Sequence, residues 1–314
     1  VSVSSSPILA TSLAGLTLRN PVLLAAGTHG TLDEFGEVCP LDRLGGVVAK
    51  SLTPEPREGN ETWRVIDVRC GMMNAIGLAN PGVDRFCEHL AERAASMPTV
   101  VIGSAAGFSV EDYVRVVGAL DAWAERGIPA IEVNVSCPNV RTGTEFGETP
   151  ALIRELMTAV RPAALKAKLF VKLSPVTPDI VSVARAAIEA GADGLTISNT
   201  IPAMAIDVRS RRPRLANVTG GLSGPALHPI AVRLVYEVYR KVAKDAGVPI
   251  IGAGGVMRWE DAAEFILAGA TAVEMGTALF ADPRSPLKVV RGLERWARSQ
   301  GVGSITELVG QVQI

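Results

Sequence analysis

"IEAGADGLTIS" (188–198) and "ILAGATAVEMG" (266–276) decide the architecture, because they read as one unit written twice. Each ends a helix, turns on Gly-Ala and enters a new strand, and the glycine supplies a left-handed helix cap. Working outward, β-rich runs recur at PVLLAAG (21–27), GGVVAKS (45–51), TVVIGSAAG (99–107), PAIEVNVS (129–136), KLFVKLS (168–174), ADGLTISNT (192–200), VPIIGAGG (248–255) and TAVEMGT (271–277), each followed by a helical pattern. The stretches 110–127, 177–192 and 257–270 carry apolar residues at helical spacing. Eight such alternations predict an α/β fold, a TIM (β/α)8 barrel rather than an open doubly wound sheet. No linker rich in Pro, Ser or charge divides the chain, so residues 1–314 are expected to form one domain. Residues 52–82 and 201–225 exceed the minimal barrel; both insertions fall at the C-terminal mouth, where barrel active sites lie.

Composition agrees with a buried parallel sheet. Apolar residues make up 48% and aromatics only 4%, so the interior is built from Ala, Val, Leu and Ile. A formal charge of −1, from 31 basic and 32 acidic residues, provides no field for nucleic acid or an anionic membrane, which leaves a small-molecule partner. The N-terminal stretch has no basic start and no long apolar run, and no segment is apolar enough to span a bilayer; a cytosolic protein is expected. The four cysteines, at 39, 70, 87 and 137, show no spacing for zinc or an iron–sulfur cluster, and no metal is expected.

Polar residues at C-terminal strand ends are the place to seek a barrel's active site. They are Gly27-Thr28, Lys50-Ser51, Ser104, Asn134 with Cys137, Lys172 with Ser174, Asn199-Thr200, Gly254-Gly255 and Gly276-Thr277. The glycine-rich ends of strands seven and eight stand where barrels bind phosphate with backbone N–H groups, so a phosphorylated ligand is expected. Lys50 and Lys172 rise from strand interiors, where a lysine needs a carboxylate, a bound anion or an electron-rich ring; only a ligand explains both well. No G-x-G-x-x-G follows any strand, so the nicotinamide dinucleotide fingerprint is missing. An unperturbed cysteine thiol is a few per cent thiolate near neutral pH, so Cys137 can act as a base, but from the residues alone a buried structural thiol stays open. Asn134 and Asn139 donate and accept at once and suit an imide or amide.

NVSCPN (134–139), GMMNAIGLANPG (71–82), VVAKSLTPEPREGN (47–60), FVKLSP (170–175), NVTGGLSGPA (217–226) and IIGAGG (250–255) together resemble the class 1 dihydroorotate dehydrogenases. The resemblance implies an FMN-dependent barrel that oxidises (S)-dihydroorotate to orotate in pyrimidine biosynthesis. On the matching positions, Cys137 would take the proton from C5 of dihydroorotate while hydride passes from C6 to flavin N5. Asn74, Asn134, Asn139, Asn199 and Thr200 would bind the substrate, with the backbone of Ile76, Gly77 and Leu78 closing the site. Lys50 would lie between substrate and flavin, and Lys172 would stabilise negative charge on the reduced ring. Ala26, Gly27, Ser51, Asn134, Ile197, Ser223 and Gly224 would line the flavin, with Gly254, Gly255, Gly276 and Thr277 at its phosphate. VRTGTEFG (140–147) would form a lid hinged at Gly143 and Gly147.

Within class 1, PREGN, NAIGLANPG and NVTGGLSGP are most similar to the NAD-linked 1B type. That type implies a homodimer of this chain in a heterotetramer with a second subunit carrying FAD and a [2Fe-2S] cluster. A stand-alone fumarate-linked enzyme is the alternative. A further one is a flavoenzyme related to dihydropyrimidine dehydrogenase, which typically has His where this chain has Asn139.

Overall fold

The computed structural model describes residues 6–135 and 145–314. All eight expected strands are present: β1 (Val22–Leu24), β2 (Gly46–Val48), β3 (Val100–Ala105), β4 (Ala130–Asn134), β5 (Lys168–Leu173), β6 (Gly194–Ile197), β7 (Ile250–Ala253) and β8 (Ala272–Met275). They close into a barrel in chain order, and every neighbouring pair is parallel. Both faces of these strands are buried, which is why they read as continuous apolar runs.

Helices α1 (Val83–His89), α2 (Val110–Asp121), α3 (Pro150–Val160), α4 (Ile180–Glu189), α5 (His228–Val238), α6 (Trp259–Ala268) and α7 (Ser285–Ser299) surround the barrel. Their starts are chemically specified. Ser109, Thr149 and Asp179 accept hydrogen bonds from the backbone N–H groups of Asp112, Leu152 and Ser182, and Pro150 opens α3. The two glycines of the repeated unit, Gly191 and Gly269, have φ of 98° and 123°, a region open to glycine. At Gly269 an added Cβ would also lie 2.1 Å from the Tyr239 ring.

The first unit departs from the expected pattern. Between β1 and β2 the described chain forms the 3₁₀ turns Glu34–Glu37 and Leu41–Arg43 and no α-helix, because Gly27, Gly30, Gly36 and Pro40 depress helix propensity throughout. The two insertions do more than loop. Val65–Val68 and Gly71–Asn74 from the first join Ile201–Met204 and Thr219–Ser223 from the second in a four-stranded antiparallel sheet over the mouth. Gly71 permits the join, since a Cβ there would meet the Ser223 carbonyl oxygen at 2.2 Å.

At the opposite end, the hairpin Thr11–Leu13 and Leu16–Leu18 plugs the barrel. Its Leu13 and Leu18 pack on Leu23, Val48, Ile102, Ala130, Phe170, Ile251 and Ala272, one residue from most barrel strands. Gly194 is the β6 member of this layer; a Cβ on it would sit 2.1 Å from the Phe170 ring. Among the described residues no helix is long and apolar enough to cross a membrane.

Candidate active site

Side chains alternate along a strand, so two residues beyond the apolar layer the interior is lined again. That second layer is Ala25, Lys50, Ser104, Glu132, Lys172, Thr196, Ala253 and Glu274. A polar floor therefore follows directly from the period of the strands. Above it, the antiparallel sheet roofs a cavity of about 520 Å³, within the usual range for a small-molecule site.

The floor side of this cavity is lined by Ala26, Gly27, Lys50, Ser51, Asn134 and Lys172. Lys50 Nζ stands 3.1 Å from where a Cβ on Gly27 would lie, so the glycine makes room for the ammonium. The Ser51 and Ser104 hydroxyls share a hydrogen bond of 2.9 Å. Asn199 donates to Asn134 Oδ1 at 3.2 Å, and Asn199 Oδ1 accepts from the Thr200 N–H at 2.8 Å. The three polar residues are thus oriented as a set, and Asn134, Asn199 and Thr200 all line the cavity.

The roof contributes Asn74, Ile76, Gly77, Leu78 and Ser223. Asn60 fixes the Ile76–Leu78 turn. Its side chain donates to the Ala75 carbonyl at 2.9 Å and its N–H to Ile76 O at 2.9 Å, and no Cβ fits at Gly77, where Asn60 N would be 2.7 Å away. Leu78 adopts φ of 57°, a conformation uncommon for a side-chain-bearing residue that tends to occur at functional turns. Gly254, Gly255, Gly276 and Thr277, after β7 and β8, complete the wall.

Two expected residues do not line the cavity. Ile197 is fully buried and turned into the core, and Gly224 lies behind the wall, its carbonyl oxygen 2.6 Å from where a Cβ on Gly255 would be. Cys137, Asn139 and lid residues 140–144 lie outside the described residues.

The expectation that a ligand best explains both lysines is corrected for Lys172. Its Nζ donates to Glu274 Oε2 at 2.8 Å and to Glu132 Oε1 at 3.4 Å, so two carboxylates hold it. Burial opposes its charge, yet Glu132 and Glu274 overcome that penalty and hold its pKa above the ordinary lysine value. Burial, reinforced by the Glu132 charge, pushes the Glu274 carboxyl up to about 8. At the cavity's edge, burial and then Glu148 raise the pKa of Glu145. Neither Glu132 nor Glu274 was singled out from the sequence. The available signal was the one applied to the lysines, a charge within an apolar strand, in PAIEVNVS and TAVEMGT.

Residues 8–296 match the family described as dihydroorotate dehydrogenase. The chain belongs to the dihydroorotate dehydrogenase family. Its reaction class is the family's: FMN-dependent oxidation of dihydroorotate in pyrimidine biosynthesis. A relative from Trichlorobacter lovleyi, named dihydroorotate dehydrogenase B (NAD(+)), catalytic subunit, is 44% identical over 98% of this chain and 99% of its own length. One of the same name from Bacteroides thetaiotaomicron is 43% identical over 98% of this chain and 99% of its own. A relative from Aquifex aeolicus, provisionally named dihydroorotate dehydrogenase A (fumarate), is 45% identical over 96% and 97%.

The residues present fit the FMN that this dehydrogenase family requires. Gly254 and Gly255 have φ of 139° and 68°, and Cβ atoms there would meet Ala231 Cβ at 2.8 Å and His228 Cβ at 2.8 Å. The wall is bare backbone by steric necessity, which suits close approach to a phosphate. His228 backs this turn through a 2.9 Å contact with the Gly254 carbonyl. Lys172, held by Glu132 and Glu274, lines the cavity as a fixed cation.

Proposed function

We propose that this chain, folded as one cytoplasmic domain, oxidises (S)-dihydroorotate to orotate with FMN held in the barrel mouth, Cys137 acting as the base. The observation that carries this reading is the convergence of Lys50, Asn74, Asn134, Asn199 and Thr200, from separate segments, on one cavity that also contains the Gly254–Gly255 turn. Bound FMN supplies the acceptor for the hydride that leaves C6. The chain's own residues do the rest. Asparagine carries a donor and an acceptor side by side, so Asn74, Asn134, Asn139 and Asn199 suit the imide and amide edges of the substrate ring. Lys50 and Thr200 add donors for its carboxylate. Cys137, three residues beyond the end of β4, takes the C5 proton as thiolate.

The physiological acceptor is proposed to be NAD, reached through a partner subunit bearing FAD and a [2Fe-2S] cluster, in a heterotetramer built on a homodimer of this chain. Two observations support it: relatives of nearly equal length carry the name catalytic subunit, and this sequence has neither a dinucleotide fingerprint nor cluster-type cysteine spacing. The Aquifex relative favours a second reading, in which the chain is self-sufficient with fumarate.

An anaerobic stopped-flow experiment on the FMN-loaded chain tests both. Dihydroorotate is expected to bleach the flavin, and fumarate or NAD added afterwards is expected to leave it bleached until a partner subunit is supplied. A flavin that stays yellow with dihydroorotate overturns the reaction. Rapid reoxidation by fumarate overturns the NAD-linked assembly alone.

A further inference from the structure

Three charged side chains meet at the floor of the cavity and leave an unbalanced account. Lys172 Nζ bonds Glu274 Oε2 and Glu132 Oε1, and Glu132 Oε2 accepts a hydrogen bond from the Thr196 hydroxyl at 2.8 Å. Glu274 Oε1 is buried and has no hydrogen-bond partner among the described residues. The side chains of Glu132 and Glu274 are 1% and 0% exposed, that of Lys172 9%. Two ionised carboxylates beside one ammonium would leave a net buried negative charge, which a low-dielectric site resists by keeping a proton. The groups facing Glu274 are Glu132 on β4, Lys172 on β5 and, through Glu132, Thr196 on β6. Lys50 and Glu145 are the other charged side chains lining the cavity.

We propose that Glu274 is a positioning residue for the cofactor's redox poise: it holds one proton beside Glu132 and Lys172, and its ionisation turns a neutral cluster negative at the wall of the flavin cavity. The inference rests on the FMN reading above. While Glu274 is protonated, Lys172 is matched by Glu132 alone, and the site tolerates the negative charge that arrives with two electrons. Once Glu274 has ionised, that charge meets a second carboxylate. Reduction then draws one proton from solvent onto Glu274, and the midpoint potential falls more steeply with pH.

The test is a redox titration of the FMN-loaded chain and of Glu274→Gln from about pH 6 to about pH 10. Gln keeps the shape and stays neutral. Wild type is expected to steepen near the Glu274 titration by up to one extra proton per two electrons; Glu274→Gln is expected to coincide with it at lower pH and to lie above it at higher pH. Cys137 is present in both proteins, so its ionisation cancels in the comparison. Identical slopes overturn the inference. Should Glu274→Gln not fold, proton uptake on reducing wild type is measured directly in weakly buffered solution. A stoichiometry that stays constant across the range overturns the inference, and one that rises near the titration supports it. A chain that binds no flavin overturns the FMN reading and this inference with it, whereas bound flavin with identical slopes leaves that reading standing.

Discussion

The floor and the roof of the cavity solve the same problem with opposite physics. The floor is made of parallel strand ends whose polar side chains are sealed in and matched: Lys172 against Glu132 and Glu274, Ser51 against Ser104. The roof is an antiparallel sheet drawn from two insertions, held by backbone pairing such as Gly221 to Asn74 and reached by solvent, with Val65 39% and Met204 48% exposed. The floor draws its geometry from burial and is costly to alter; the roof draws it from local hydrogen bonds and tolerates change. The division suits the proposed reaction, in which the cofactor needs a fixed electrostatic setting and the substrate must enter and leave.

The largest expected effect lies at Cys137, three residues beyond the end of β4 in the sequence. Cys137→Ser removes the proposed base and should slow flavin bleaching by dihydroorotate at least about a hundredfold, within the range of general base catalysis. FMN content should be unchanged. A variant with a normal bleaching rate would return the thiol to a structural role; one that loses FMN would show that this segment belongs to the floor. Lys172→Met comes next. It removes the cation and leaves the buried Glu132 carboxylate without its counter-charge beside the protonated Glu274, so a loss of about 3–5 kcal/mol is expected in denaturant titration. A loss below about 1 kcal/mol would mean that water reaches the cluster, and the contrast between floor and roof would fail.

Stability should also depend on pH through the floor. Glu274 keeps its proton to about 8 in the folded chain against 4.5 as the ordinary value. Between those limits the folded state binds a proton that the unfolded state has released. Glu274 therefore contributes stability that is fully present below about 4.5 and is lost as pH rises to about 8. Lys172, shifted upward, stays charged throughout that window. Glu274→Gln should melt increasingly above wild type as pH climbs from about 5 to about 8, by an amount on the order of a few kcal/mol. Parallel melting curves across that range would show that no proton is held there.

The same contrast explains what the sequence made legible. Barrel strands carry a period of two on a buried face, so Lys50, Lys172 and Asn134 could be placed at the mouth by counting from apolar neighbours. Glu132 and Glu274 were equally countable: they share the layer of Lys50 and Lys172 and carry the same signal, a charge within an apolar strand. The roof gave no such period. GMMN and TGGLS pair through glycines that admit a neighbouring backbone, and Thr200 sits where a Cβ on Gly221 would lie 2.0 Å from its hydroxyl oxygen, a constraint visible only once the strands are paired. Asn60, which fixes the Ile76–Leu78 turn, was missed for the same reason: its partners lie 15 and 16 residues away, across an insertion with no helical or strand rhythm. The missing helix after β1 reflects the opposite error, apolar residues read as helical where Gly27, Gly30, Gly36 and Pro40 decide the backbone.

The smallest expected effect completes the contrast. Arg214 reaches Asp67 across the roof at 3.2 Å, a distance close to those of the Lys172 contacts, but the two side chains are 37% and 96% exposed. Solvent already satisfies both charges, and the arginine gives up rotamer freedom to hold one geometry, so Arg214→Met should change stability by no more than about 0.5 kcal/mol. Distance alone would rank this pair with the floor; burial ranks it far below. A loss comparable to that of Lys172→Met would mean that the outer face of the roof is covered in the working protein, as an assembly with a second chain would cover it. Repeating the measurement over a range of protein concentrations separates the cases, because stabilisation by a partner copy grows with concentration and an intrachain ion pair does not.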